Sequence, residues 1–257
     1  MRNCFVLGAG RSGTSMVTGA IAGAGYHVGD DLIGARPANP KGFFEDREVN
    51  RINEDLLDPV VEGRPPGRLG RLYAHRTRYG QRWLAPVPVG IDLVVPADLA
   101  ARIRAAASHR PFCFKDPRFS YTVGAWQDCL DEPAAQVCVF RHPGRTADSV
   151  LREVGEARYL QDLRIDRARV LRVWTLMYRH ILERHRQRGA WAFLHYDQVA
   201  DGTGLDRLDA LLGVAVDRSF ADASIGRSLD DPSLDPVPAE AARVYRELCA
   251  LADHADR

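Results

Sequence analysis

The run Phe5 to Ser15, FVLGAGRSGTS, restricts this chain more than any other. Apolar residues lead into a turn punctuated by Gly8, Gly10 and Gly13, and Met16, Val17, Ala20 and Ile21 follow at helical spacing. A buried strand, a glycine loop and a helix start, in that order, commit the chain to an α/β architecture. Glycines let the backbone approach a bound group closely, and the first N–H groups of a helix have no partner within it. Such a loop is an anion site, and the anion it suits best is a phosphate.

Three further apolar runs read as strands. Phe112-Cys113-Phe114 ends at Lys115-Asp116-Pro117-Arg118, Gln136 to Phe140 (QVCVF) ends at Arg141-His142-Pro143, and Trp191 to Leu194 (WAFL) ends at His195-Tyr196-Asp197. Tyr26-His27-Val28 reads as one more short strand. Helical patterns lie between: one closed by Gly25, one over Phe43 to Leu57 with Glu45 and Asp46 in its first turn, and one over Leu99 to Ala107. Others start near Gly144 and cover Asp166 to Arg188, Leu205 to Leu212 and Ala239 to Ala252, with an irregular stretch from Asp217 to Pro238. In the long pattern after Asp166, Val170, Leu171, Trp174, Met177 and Tyr178 recur at three-and-four spacing, so its Trp and Met read as core. The alternation predicts a three-layer α/β fold, a central mostly parallel sheet flanked by helices, with ligands at the carboxyl ends of the strands. Gly8 to Ser15, Lys115, Arg141 and Tyr196 all fall at such ends.

A length of 257 residues accommodates one domain with a sizeable core. The expected interruption is an insertion or lid at about 59–96, which holds six of the fifteen prolines and six arginines (Arg64, Arg68, Arg71, Arg76, Arg78, Arg82) with little periodicity. A formal net charge of +1 offers no footprint for nucleic acid or a membrane surface. Only Lys41 and Lys115 among the 35 basic residues are lysines, which makes a lysine more telling here than an arginine. The five cysteines form no CxxC pair, and neither a zinc site nor a disulfide framework fits their spacing. No apolar run approaches a membrane span, and a cleaved leader would remove the glycine loop itself, so the expected setting is cytoplasmic.

The loop alone is compatible with three nucleotide classes. Gly8-Ala9-Gly10-Arg11-Ser12-Gly13 spells the dinucleotide pattern G-x-G-x-x-G, with Asp30 and Asp31 where a ribose-binding acid would be sought. The same residues, followed by Thr14-Ser15, read as a nucleoside-triphosphate P-loop with threonine in place of its lysine. Losing that point charge weighs against a kinase, although Ser15 keeps the magnesium-ligand position.

GAGRSGTS also resembles the 5′-phosphosulfate loop of sulfotransferases that use 3′-phosphoadenosine 5′-phosphosulfate (PAPS) as donor, a family with a P-loop-like fold. In that family a basic residue precedes the Ser/Thr-Gly-Thr-Thr/Ser run, and Arg11 stands there. The resemblance implies a cofactor cradle of Arg11, Ser12, Gly13, Thr14 and Ser15. The family's second signature is an arginine ending a strand and a serine eight positions on, which together grip the 3′-phosphate. Arg141 and Ser149, in FRHPGRTADS, match in type and spacing. An arginine fork neutralises a phosphate bidentately and a helix serine adds a directed donor, so the two stations imply a nucleotide phosphorylated at both ends.

Lys115, in FKDP, is similar to a lysine that stabilises the leaving oxygen in the family. Asn39 to Glu45 (NPKGFFE) resembles a segment of a bacterial branch in which the glutamate lies near the acceptor, which makes Glu45 the implied general base. Asp46, Glu48 and His142 are reserves for that role, and a first-turn glutamate favoured by the helix dipole is the plainer reading of Glu45. Tyr196 aligns with an aromatic beside the adenine and departs from the family pattern after one residue; Met16 stands where some relatives have a tryptophan. Arg227, in IGRS, matches a late basic contact to the 3′-phosphate. The implied reaction is transfer of a sulfuryl group to a hydroxyl or amine of a small-molecule or carbohydrate-like acceptor, with no metal and with 3′,5′-adenosine bisphosphate as product. A P-loop small-molecule kinase, a dinucleotide-dependent oxidoreductase and a non-catalytic nucleotide-binding module are the competing readings.

Overall fold

The computed structural model describes residues 1–34, 42–220 and 236–255. Four parallel strands, β1 (Cys4–Leu7), β2 (Cys113–Lys115), β3 (Ala135–Phe140) and β4 (Trp191–His195), form one sheet in the order β2-β1-β3-β4. The register sets Phe5 beside Phe114 on one flank and Gln136 on the other, and Cys138 beside Phe193. Successive side chains point to opposite faces of a strand, and here both faces are apolar. Phe5, Leu7, Phe114, Cys138 and Phe140 enter one core, whereas Cys4, Val6, Cys113, Val137 and Val139 enter the other.

Helices cover both faces, as a buried parallel sheet requires. On the second face lie α1 (Thr14–Gly23) and α8 (Leu205–Leu212), which contribute Val17, Ile21, Leu208 and Leu212. The first face is covered by α2 (Arg47–Leu57), α3 (Ala97–Ala106), α4 (Phe119–Gln127), α6 (Arg167–His180) and α9 (Ala239–Leu251). Trp126 of α4 packs edge-on to Phe5 and Phe119, with centroids 5.8 and 5.3 Å away. Aromatic contacts of this kind add about 0.5–1.5 kcal/mol beyond burial. A third cluster joins Ala147 and Val150 of α5 (Pro143–Glu156) to Val170 and Leu171 of α6. The short α7 (Tyr196–Ala200) leaves β4 directly.

The sequence patterns and the elements differ in a few places, each with a local cause. α2 starts at Arg47 because the Asp46 carboxylate caps it, accepting from Glu48 N–H and Val49 N–H, so Glu45 and Asp46 lie before the helix and not in its first turn. His27 forms only an isolated parallel bridge to Phe112, so Tyr26–Val28 is no strand. The pattern expected to stay α-helical to Arg188 becomes a π-turn over Ile181–His185, closed by Arg186 N–H on the Ile181 carbonyl at 2.8 Å. Helix α4 carried no start signal, since Pro117 reads as a turn. Trp174 and Met177 are buried, as their spacing predicts, and all five cysteines are free thiols. Within the 59–96 stretch, Trp83, Leu84, Ala85 and Val87 are buried. Among the described residues, no helix is long and apolar enough to cross a membrane.

Candidate active site

The glycine loop lies where β1 ends, and its shape is set from outside. Gly8 has φ 140°, and a methyl group there would stand 2.1 Å from the Val139 carbonyl oxygen, so only glycine lets β1 leave the sheet beside β3. Gly13, at φ 93°, opens α1 and faces Tyr196. Beneath the loop the Tyr178 hydroxyl donates to the Val139 carbonyl at 2.8 Å. Its lone pairs accept Ala9 N–H at 3.0 Å and the Ser12 hydroxyl at 3.1 Å. Burial, with the Cys138 thiol adding to it, raises the Tyr178 phenol far above its usual range and keeps it neutral. The Trp83 ring lies against Gly10. No side chain caps the N-terminus of α1 and no acid occupies its first turn, so the positive end of that helix dipole is unneutralised from within the helix.

Arg11 takes φ 71°, an unfavourable left-handed conformation for a residue with a side chain. Its Nε donates to the Ser149 hydroxyl at 3.1 Å and lies 3.7 Å from a Glu153 carboxylate oxygen. The structure thus brings the first loop to the helix that carries the distant serine. Arg141, at the end of β3, stacks its guanidinium over the Tyr196 ring at 4.2 Å, and Tyr196 also abuts Gly13. Burial lowers the Arg141 pKa, and the neighbouring Arg145 and Arg11 charges lower it further, against partial opposition from Tyr196 and Asp197. Ser15 donates to the Phe43 carbonyl at 3.3 Å, Thr14 is buried in the first turn of α1, and Met16 packs beside Gly13.

Opposite the loop, Lys115 at the end of β2 is buried and donates to Glu45 Oε1 at 2.5 Å. Glu45 Oε2 accepts from Asn50 at 3.1 Å. Burial pushes the Glu45 carboxyl up, but the Lys115 ammonium, Arg118 and the Asn50 hydrogen bond outweigh it and hold the group below its ordinary value. The preceding Phe44 has φ 52°, so strained backbone delivers the carboxylate. Of the reserves, Asp46 is used up as a cap and by Asp31 N–H at 2.9 Å, Glu48 pairs with Arg102 at 2.7 Å, and His142 packs edge-on to Tyr245. Asp31 pairs with Arg47 at 3.1 Å. Arg227 and Lys41 lie outside the described residues.

Behind this pair runs a chain of buried charges. Arg118 grips both oxygens of Asp116, at 2.9 and 3.0 Å, and Glu54 at 2.6 Å. Glu54 also accepts from Arg82 at 3.1 Å, and Arg82 reaches Asp58. Asn53 donates to Asp116 at 3.0 Å while its carbonyl accepts from Thr122 and Trp126. Burial raises the Asp116 pKa, with Glu45 contributing and Arg118 opposing. Sequence reading missed Tyr178 as the strut of the loop, Asn50 as the partner of Glu45, and Arg82 as a buried residue. Only Tyr178 left a sign, as a core position of the α6 pattern.

No family model matches the chain, and no curated protein matches its sequence. Solved structures do match in shape. The sulfotransferase domain from the Synechococcus PCC 7002 olefin synthase aligns over 96% of this chain and 94% of its own, with TM-score 0.54 and 16% identity. The sulfotransferase domain from the curacin biosynthetic pathway aligns over 96% and 98%, with TM-score 0.51 and 15% identity. These likenesses define the class of fold: a three-layer α/β arrangement of the P-loop-like type, its parallel sheet flanked by helices.

Proposed function

We propose that this chain is a sulfotransferase that moves a sulfuryl group from PAPS to a hydroxyl or amine of a small-molecule or carbohydrate-like acceptor, in the cytoplasm. The observation that carries the reading is the contact of Arg11 with Ser149 at 3.1 Å, which brings the helix-end anion cradle to the helix that follows Arg141. A nucleotide phosphorylated at both ends is the ligand class that two such stations suit. The matching solved domains, each described as a sulfotransferase domain, support it from the side of shape.

In this reading Arg11, Ser12, Gly13, Thr14 and Ser15 hold the 5′ end, through charge, hydroxyls and the start of α1. Arg141 and Ser149 hold the 3′-phosphate, with Arg227 a further contact, and Tyr196 lies beside the base. The donor supplies the activated sulfuryl group. Glu45 accepts the acceptor's proton as its oxygen or nitrogen bonds to sulfur, and Lys115 with Arg11 stabilises the charge that gathers on the bridging oxygen as its bond to sulfur breaks. The product, 3′,5′-adenosine bisphosphate, retains the 3′ grip. No metal is required by these roles. The Glu45–Lys115 pair, 2.5 Å apart, places base and cation side by side, and a fixed arrangement of that kind supplies catalysis through positioning and electrostatics.

The test is calorimetric titration of the chain with 3′,5′-adenosine bisphosphate, followed by incubation with labelled donor and an acceptor panel. Binding that Arg141→Ala weakens, and labelled product that Glu45→Gln abolishes, are the expected results. Failure of the bisphosphate to bind would overturn the reading.

A further inference from the structure

Two groups of histidines and carboxylates come together among the described residues. In the first, His195, Asp197 and His254, both ring nitrogens of His195 are committed: Nδ1 accepts Asp197 N–H at 3.2 Å, and the other nitrogen bonds the Tyr245 hydroxyl at 3.2 Å. That group is a packing device around the buried His195 ring, with Asp197 and His254 partly exposed. In the second, His27, Asp30 and His109, every ligand atom lies within 4.8 Å of the others, and the two rings stand 4.8 Å apart at 42°. Among the described residues none of these three side chains makes a hydrogen bond or an ion pair, and Asp30 and His109 are exposed. Three uncommitted ligands thus converge on one point.

We infer that His27, Asp30 and His109 form a peripheral site for a divalent transition-metal ion, distinct from the sulfuryl-transfer site. Two neutral imidazoles and one carboxylate are a ligand set suited to zinc and its neighbours, with water completing the shell. Zinc bonds of about 2.0–2.1 Å place ligands on a tetrahedral ion roughly 3.3 Å apart. Closing the group that far needs side-chain rotation at the exposed Asp30 and His109. The His27 backbone is fixed already: its N–H donates to the Pro111 carbonyl at 2.9 Å and its carbonyl accepts Cys113 N–H at 2.8 Å.

The position gives the ion a consequence. Beyond Asp30 the chain forms an antiparallel bridge with Asp46, and Ile33 N–H donates to the Glu45 carbonyl at 2.8 Å. Beyond His109 the chain enters β2, which ends at Lys115. An ion at this point clips together the two segments that present Glu45 and Lys115, without touching either. It stiffens the support of the pair and takes no part in bond making.

The test uses the full chain, untagged and stripped of metal, titrated with Zn²⁺ against a competing chromophoric chelator. One tight ion per chain is expected. His109→Ala, at an exposed position that leaves the fold intact by circular dichroism, weakens it at least about tenfold, and Asp30→Asn weakens it about threefold to tenfold. His254→Ala leaves it unchanged. In the wild type, but not in His109→Ala, Zn²⁺ slows amide exchange over 28–34. Equal affinity in wild type and His109→Ala, loss of the ion in His254→Ala, or no binding below millimolar Zn²⁺ overturns the inference. None of these readouts depends on sulfuryl transfer.

Discussion

Arg118 and Arg141 are buried to the same degree, at 3 and 5% exposure, yet their surroundings act on them in opposite directions. Burial drives Arg118 down, but Asp116, Glu54 and Glu45 carry it above its ordinary value. Burial also drives Arg141 down, and there Arg145 and Arg11 add to the fall. Both guanidiniums remain protonated; the shift reports the field at each site. In the first region carboxylates answer the cations and the result is scaffold. In the second, Arg11 and Arg141 gather around the Ser149 hydroxyl and the Tyr196 face, with the Glu153 carboxylate 3.7 Å from Arg11. The charges on neighbouring side chains separate the two kinds of arginine.

The strongest way to break this contrast is to remove an anion from the scaffold. Glu54→Ala leaves Arg118 and Arg82 buried without their shared carboxylate and should cost about 3–5 kcal/mol in chemical denaturation. A loss under 1 kcal/mol would erase the distinction. Removing the chemistry instead of the scaffold should show in the rate: Glu45→Gln and Lys115→Ala are each expected to slow sulfuryl transfer by roughly 10²–10³ at saturating donor, with bisphosphate affinity changed less than tenfold. Arg141→Ala should do the reverse. It weakens bisphosphate binding by about 1.5–3 kcal/mol in calorimetry, the scale of a hydrogen bond to a charged group, and leaves the unfolding midpoint near that of wild type.

Acid sharpens the comparison further, because His195 sits beside the Arg141 cluster. Burial, with His254, Arg141 and His142 adding to it, lowers its pKa to about 3. The unfolded chain therefore binds this proton near pH 6.5 while the folded chain refuses it until about pH 3. Stability should fall as pH drops through that window, by at most about 1.4 kcal/mol per pH unit for this one group. His195→Gln should flatten the slope in denaturation at pH 6.5, 5.5 and 4.5. The smallest expected effect is Ser149→Ala, a loss of about 1 kcal/mol in bisphosphate affinity.

Legibility followed how local the determinant was. The glycine loop, the four strand runs and the spacing of Arg141 and Ser149 are written in contiguous residues, and the observed elements begin and end within a few positions of those patterns. Asp46 was legible only as an acid near a helix start. The carboxylate oxygen that it does not use in the cap accepts Asp31 N–H from another segment, a contact that no local pattern announces. The scaffold charges were illegible for the same reason. Arg82 sits in an arginine-rich stretch where nothing distinguishes it from Arg68 or Arg71, and its burial depends on Glu54, 28 positions away. Tyr178 read as core, which it is; that its hydroxyl props a loop 166 positions upstream follows from tertiary packing alone.

That prop has a kinetic consequence. The loop's shape depends on a hydroxyl from α6, 166 positions away in the chain. Contacts spanning so much sequence form slowly, because the closure entropy must be met before the contact rewards it. The glycine loop is contiguous in sequence, yet the contact that props it is one of long range and so belongs to the slow-forming kind.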